Sequence, residues 1–264
     1  MDLKRLILSP LILIFAASGY AQQTSTQSVT KDPQAIAVLS RSLNAAGGIP
    51  AVAAIHDYTG SGNITYYRGG GVAQGPATAR ARAVDEFRLD ANLPDGMQSF
   101  VASNGAGSLV TTNGESRPLS FFNLIGIGSM ILPIRRAAFA LNDPTASIEL
   151  IGVSSVDGQQ TYQVRVSPQV DTFIAATPAF RTLGTFELFV SQQSFQIVEL
   201  SETIWVGGAL QPCSREILFA NFNSSNGFIV PFTITERIAG QRTWTLNLNS
   251  FTTNSGVADA VFNP

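Results

Sequence analysis

From Asn226 to Phe251 the chain reads NGFIVPFTITERIAGQRTWTLNLNSF. Even positions carry Phe232, Ile234, Ile238, Trp244, Leu246 and Leu248, while odd positions carry Thr233, Thr235, Arg237, Thr243, Thr245, Asn247 and Asn249. A period of two with one apolar and one polar face marks a half-buried strand, because successive side chains leave a strand on opposite sides. Two such runs meeting at a tight turn predict a hairpin, and a hairpin with one oily face needs something to cover it. The cover is either the protein's own core or a guest carried in from outside.

The same pattern recurs along most of the chain. Tyr58, Gly60, Gly62, Ile64 and Tyr66 alternate with Thr59, Ser61, Asn63, Thr65 and Tyr67. Ala79, Ala81, Ala83, Phe87, Leu89 and Ala91 share one face; Arg80, Arg82, Glu86, Arg88 and Asp90 share the other. Asn104-Gly105 and Asn113-Gly114 are hairpin turn signals, and Asp157-Gly158 joins SIELIGV to TYQVRVS. TFELFV and FQIVEL flank a Ser-Gln-Gln-Ser turn, and REILFANF precedes the first hairpin described. About a dozen strands joined by short loops predict one large, curved antiparallel meander.

Helical signals are confined to two places. Asp32-Pro33 reads as an N-cap with proline in the first turn, followed by Ile36, Leu39 and Leu43 at helical spacing and a Gly47-Gly48 stop. The segment FFNLIGIGSMILPIRRAAFALNDP, residues 121–144, breaks the strand pattern, and its second half from Leu132 to Leu141 looks helical. Gly126, Gly128, Pro133, Arg135 and Arg136 interrupt it too often for a membrane span. Inserted between strands of a meander, it is expected to cover one face of the sheet.

The N-terminus reads as an export signal. Lys4 and Arg5 precede an apolar stretch from Leu6 to Ala17 that is broken by Pro10, and a small-residue exit predicts cleavage near Ala21. Residues 1–21 are therefore expected to be a signal peptide, 22–30 a flexible polar tether, and 31–264 the folded domain in the periplasm or outside the cell. Removing 1–21 leaves 14 basic and 17 acidic residues, a charge of −3, which offers no electrostatic attraction to nucleic acid. The single cysteine, Cys213, rules out an internal disulfide, so burial alone must hold the fold.

Catalytic constellations are absent from the inventory. His56 is the lone histidine, which excludes His-rich metal sites; no GxSxG elbow and no GxxxxGK[ST] loop occurs. Asp85, Glu86 and Asp90 could supply an acid and a base, but they stand among Arg80, Arg82 and Arg88, where cross-strand ion pairing explains them better. Neither an enzyme, a cofactor nor a metal is expected.

The order of elements resembles the LolA/LolB-like superfamily of periplasmic lipoprotein carriers (outer-membrane lipoprotein-sorting-like proteins). The likeness runs through DPQAIAVLSRSLNAAGG, YTGSGNITYY, DEFRLDANLPDGMQSFVASNGAGSLV, SIELIGVSSVDGQQTYQVRVSP, TFELFVSQQSFQIVEL, the 217–251 stretch and the closing FTTNSGVADAVFNP. It implies an α+β, mainly β fold: an unclosed half-barrel sheet whose concave apolar face is covered by helices. It also implies an arginine tying lid to sheet, for which Arg82 and Arg88 are the candidates. Additional residues stand around 168–184 and 206–214.

The implied function is an exported carrier holding a lipid, an acyl chain or an acylated protein in the concavity, as a monomer in transient contact with a membrane-bound donor or acceptor. The expected ligand-binding residues are Phe121, Phe122, Leu124, Ile127, Met130 and Leu132 from the lid, with Phe232, Ile234, Trp244, Leu246 and Leu248 from the hairpin. The alternative is a protein-binding or sensing module of the same fold, without transport activity, presenting the arginine-rich strand face at 80–90.

Overall fold

The computed structural model describes residues 29–170, 180, 182–206 and 211–263. The expected signal peptide and most of the tether lie outside the described residues, as do much of the additional 168–184 and 206–214 stretches.

Thirteen antiparallel strands form a single open sheet among the described residues. The first six are β1 (Asp57–Arg68), β2 (Gly71–Arg82), β3 (Glu86–Leu93), β4 (Gly96–Ser103), β5 (Ala106–Val110) and β6 (Ser116–Pro118). The other seven are β7 (Ser147–Val156), β8 (Gln159–Ser167), β9 (Phe186–Ser191), β10 (Ile197–Val206), β11 (Gln211–Ser225), β12 (Phe228–Ile238) and β13 (Gln241–Thr253). The strand order is β6-β5-β4-β3-β2-β1-β13-β12-β11-β10-β9-β8-β7. Each half is thus a meander, and the two halves are zipped together by β1 against β13, where Ile64 faces Leu246 and Tyr66 faces Trp244.

The turn chemistry explains why the meander forms. Asn104-Gly105, Asp157-Gly158 and Asn226-Gly227 all have positive φ at both residues, the geometry whose twist suits a two-residue hairpin. Asn113-Gly114 lies in the longer link between β5 and β6, where Glu115 O accepts from Thr111 N–H.

Three helices accompany the sheet: α1 (Pro33–Ala45), α2 (Ile49–Ala53) and α3 (Pro133–Asn142). The Asp32 carboxylate caps α1 by accepting from the Gln34 N–H and also accepts from Leu150 N–H, which docks the helix start on β7. Thr30, at the end of the expected tether, accepts from Ile148 N–H at 2.7 Å and so borders the same edge strand. Ala35, Val38, Leu39 and Leu43 bury the inner side of α1, which packs on α3, β7 and β9.

Topology dictates where the 119–146 segment must go. It leaves β6 at one edge of the sheet and enters β7 at the other, so it has to cross the sheet's concave face. It does so as two single 3-10 turns, Phe121–Asn123 and Ile127–Ser129, followed by α3 after a 99° bend. No single helix among the described residues is long and apolar enough to cross a membrane.

Neither arginine expected to tie the lid to the sheet does so. Arg82 pairs with Glu86 and Asp259, and Arg88 pairs with Asp90 and donates to Val261 O. Both sit on the outer face, where they hold the closing turn Asp259–Phe262 and bury Phe262 against the sheet. Ala81 and Phe87, one residue along, fill the buried face because strand side chains alternate, and Arg82 only edges the space beside α3 without pairing to it.

Candidate functional site

The covering segment is pinned to the sheet by two polar devices. Asn123 donates through Nδ2 to Trp205 O and accepts through Oδ1 from Trp205 N–H, at 2.8 and 2.7 Å, and so fastens the first 3-10 turn to β10. The second device is an ion cluster. Arg136 of α3 reaches Glu202 of β10 at 2.7 Å, and the other Glu202 oxygen accepts from Arg215 of β11 at 2.9 Å. Arg136 and Glu202 side chains are each only 7% exposed. Burial pushes the Glu202 carboxyl up, but the two guanidinium groups outweigh it and hold it below the usual carboxylate range. Gly126, at φ 72°, is where the covering segment lets Arg136 through, since a Cβ there would stand 2.9 Å from the guanidinium carbon.

Glu236 of β12 continues the cluster on the same inward face and accepts a hydrogen bond from Thr243 Oγ1. Glu202, Arg215 and Glu236 all occupy inward positions: Leu200 and Ile204 flank the first, Ile217 follows the second, and Ile234 and Ile238 flank the third. Sequence reasoning missed them. The available signal was a charge at an even position of the 232–238 run, where Glu236 stands between Ile234 and Ile238.

Above this cluster lies a hollow of about 260 Å³. Its walls come from the sheet (Tyr66, Phe87, Leu89, Phe100, Leu109, Ile204, Ile238 and Trp244) and from the cover (Leu119, Asn123, Leu124 and Met130); Gln98, Arg215 and Glu236 supply the polar groups. Burial pushes the Tyr66 hydroxyl up to about 12, so it stays protonated there. A second, more open cleft of about 780 Å³ runs beside α3, walled by Phe121, Leu124, Ile125, Phe139, Ala140, Val166 and Phe186, with Arg136 at one side. Leu124 belongs to both walls, where the hollow and the cleft come together.

The eleven residues expected to bind ligand separate into three groups. Leu124, Met130 and Trp244 line the hollow, and Phe121, 53% exposed, joins Leu124 on the wall of the outer cleft. Phe122 instead stacks on Phe180 at 4.6 Å and meets Trp205 edge-on. Ile127, Leu132, Ile234, Leu246 and Leu248 are buried in the continuous core, with Phe232 packed against it. The structure therefore brings the lid and the hairpin together, with the hollow at the Trp244 end of the hairpin and close packing at the Leu248 end.

Of the remaining candidates, Asp85 borders the open cleft, while the other two carboxylates have partners. Glu86 pairs with Arg82, and Asp90 pairs with Arg80 and Arg88 while accepting from Ser99 Oγ. His56 is exposed. Among the described residues no three His, Cys, Asp or Glu side chains converge to hold a metal ion.

No protein-family model matches the chain, and no curated protein matches it in sequence. Among solved structures it is similar to a LolA superfamily protein from Nitrosomonas europaea, at 10% identity and a TM-score of 0.52, over 90% of this chain and 99% of that one. It is also similar to a DUF1329 family protein from Desulfovibrio piger, at 11% identity and a TM-score of 0.50, over 88% of this chain and 98% of that one. At such identities the likeness is one of fold: the chain has a LolA-like half-barrel.

Proposed function

We propose that this protein is an exported carrier that holds a lipid or acyl chain between the concave face of its half-barrel and the 119–146 cover. The observation that carries the reading is the apolar hollow beneath Leu124 and Met130, which shares its Leu124 wall with an open apolar cleft. A chain entering along the cleft needs Leu124 to swing aside, not the whole cover to lift. Each methylene taken out of water contributes roughly 0.8 kcal/mol, so a handful of them outweighs the ordering of one flexible chain.

The basic-apolar N-terminal stretch supports export, and the LolA-like fold supports the carrier class. The buried cluster of Arg136, Glu202 and Arg215 supports a cover that is held in register yet not sealed by apolar packing alone. A lipid, or the acyl group of a lipidated protein, is the ligand chemistry this arrangement suits.

The test is titration with a dansyl-labelled fatty acid, whose emission rises in an apolar site. Leu109→Trp and Met130→Trp fill the hollow from opposite walls and are expected to weaken binding at least tenfold while the variants stay folded. Folded filling variants that bind as well as the parent protein contradict the reading.

A further inference from the structure

Arg135 and Arg136 are consecutive on α3 and equally buried, yet their surroundings differ completely. Arg136 has its carboxylate. Arg135 is 3% exposed, makes no side-chain hydrogen bond or ion pair among the described residues, and has its Nη1 fully enclosed without an acceptor. Its guanidinium lies against two rings, Tyr58 at 6.0 Å and Phe139 at 5.6 Å. The nearby carboxylate, Asp57, is already occupied: it accepts from Ser255 N–H and Oγ on one oxygen and from Gly256 N–H on the other. Arg82 is likewise taken by Glu86 and Asp259. Desolvation alone pulls Arg135 below the usual guanidinium range.

A buried cation with unused donors is costly unless something answers it. Arg135 borders a cavity of about 500 Å³ between α2, the β2–β3 turn and α3, whose other walls include the apolar Val52, Ile55, Ala138 and Phe139 and the polar His56, Arg82 and Asn142. Phe139 and Asn142 also border the 780 Å³ cleft, so the two spaces adjoin around one exposed phenyl ring. An apolar groove leading to an unanswered guanidinium fork has the shape of a site for an anion with an oily tail.

The geometry points to Arg135 as the head-group anchor of an anionic amphiphile, a carboxylate whose chain lies along α3 past Phe139. A carboxylate matches the planar fork with two parallel hydrogen bonds, and the flanking rings shield them from water. This assignment rests on the carrier reading for the chain but not for the charge, so the two can fail separately.

Calorimetric titration of the full chain with decanoate, decan-1-ol and inorganic phosphate, on the parent protein and on Arg135→Met and Arg135→Lys, decides it. Decanoate is expected to bind the parent at least tenfold more tightly than decanol. That preference should vanish in Arg135→Met and fall partway in Arg135→Lys, which keeps the charge but lacks the fork. Arg135→Met should also melt at or above the parent temperature when unliganded, because it removes an unpaired buried charge, and this confirms that the variant folds. Equal binding of decanoate and decanol, or a preference that survives in Arg135→Met, overturns the head-group site and leaves the carrier standing. Arg135-dependent binding of phosphate without either amphiphile overturns both the amphiphile and the carrier while keeping an anion site. No binding of any probe overturns all three.

Discussion

Beneath α1 and the start of α3 the concave face is closed. Around Leu132, Ile134, Ile197 and Ile229 only a crevice of about 10 Å³ remains, room for at most one water. Beneath the two 3-10 turns the same sheet faces the 260 Å³ hollow, and the larger cleft opens beside it. Both regions are built from the same kinds of residue, Leu, Ile, Met and Phe on an alternating face. What differs is the cover. An α-helix offers a continuous apolar stripe that can interdigitate with the sheet, whereas single 3-10 turns broken by Gly126 and Gly128 offer isolated side chains and leave space between them. On the carrier reading, the closed region serves stability and the hollow one serves binding.

That division can be broken by mutation, and the largest effect is expected where the two regions are tied together. Glu202→Leu leaves Arg136 and Arg215 buried without their shared carboxylate and should cost about 3–5 kcal/mol in urea unfolding. A loss under 1 kcal/mol would show that the cover does not depend on that tie. Next comes Leu39→Ala, a fully buried residue of α1, which should cost about 3 kcal/mol while leaving fatty-acid affinity unchanged. If affinity falls along with stability, the closed region is part of the site.

Leu124→Ala acts on the wall that hollow and cleft share. Because its side chain already borders open space, the loss should lie near the low end for such truncations, about 2 kcal/mol. Joining hollow to cleft should move the preferred ligand toward longer chains. An unchanged chain-length profile across a homologous fatty-acid series would mean the two spaces work independently.

The smallest effect distinguishes the two faces of β10. Glu202, inside, has a depressed pKa, so its stabilisation is present above the ordinary carboxylate range and is lost as pH falls through its folded value. Glu199, on the outer face, is pushed up to about 7 by burial and by its neighbour Glu216. Its native state therefore binds more protons than the unfolded chain between the usual glutamate value and 7, and stability falls as pH rises through that window. Glu199→Gln should flatten the decline between pH 5 and 7 and leave the acid-side loss intact. A melting curve against pH that keeps its slope in the variant would place the effect elsewhere.

Much of this fold is written in alternation and turn chemistry. Asn104-Gly105, Asp157-Gly158 and Asn226-Gly227 lie at hairpin turns because both residues must take positive φ, and the α1 start follows from the Asp32-Pro33 cap. The position of the cover could also be anticipated, since residues 121–144 lack the period of two. The pairing of β1 with β13 was not legible, because register between strands nearly two hundred residues apart depends on the whole sheet. Nor was the difference between Trp244 and Leu246, two residues apart on one face: one borders a hollow and the other is wholly enclosed, depending on what crosses above. Glu236, Glu202 and Arg215 read in sequence as defects in apolar faces. In the structure they lie beside one another on three adjacent strands, and with Arg136 they form the polar floor under the cover.

The central claim is that the hollow under the cover holds an apolar guest. The most direct measurement is a native mass spectrum of protein isolated without detergent from its native cells, followed by solvent extraction. The account predicts a co-purifying mass that is released as a lipid or fatty acid and is depleted in Met130→Trp. A clean unliganded mass, in protein that also takes up no added decanoate, would contradict it and make the hollow a feature of packing alone.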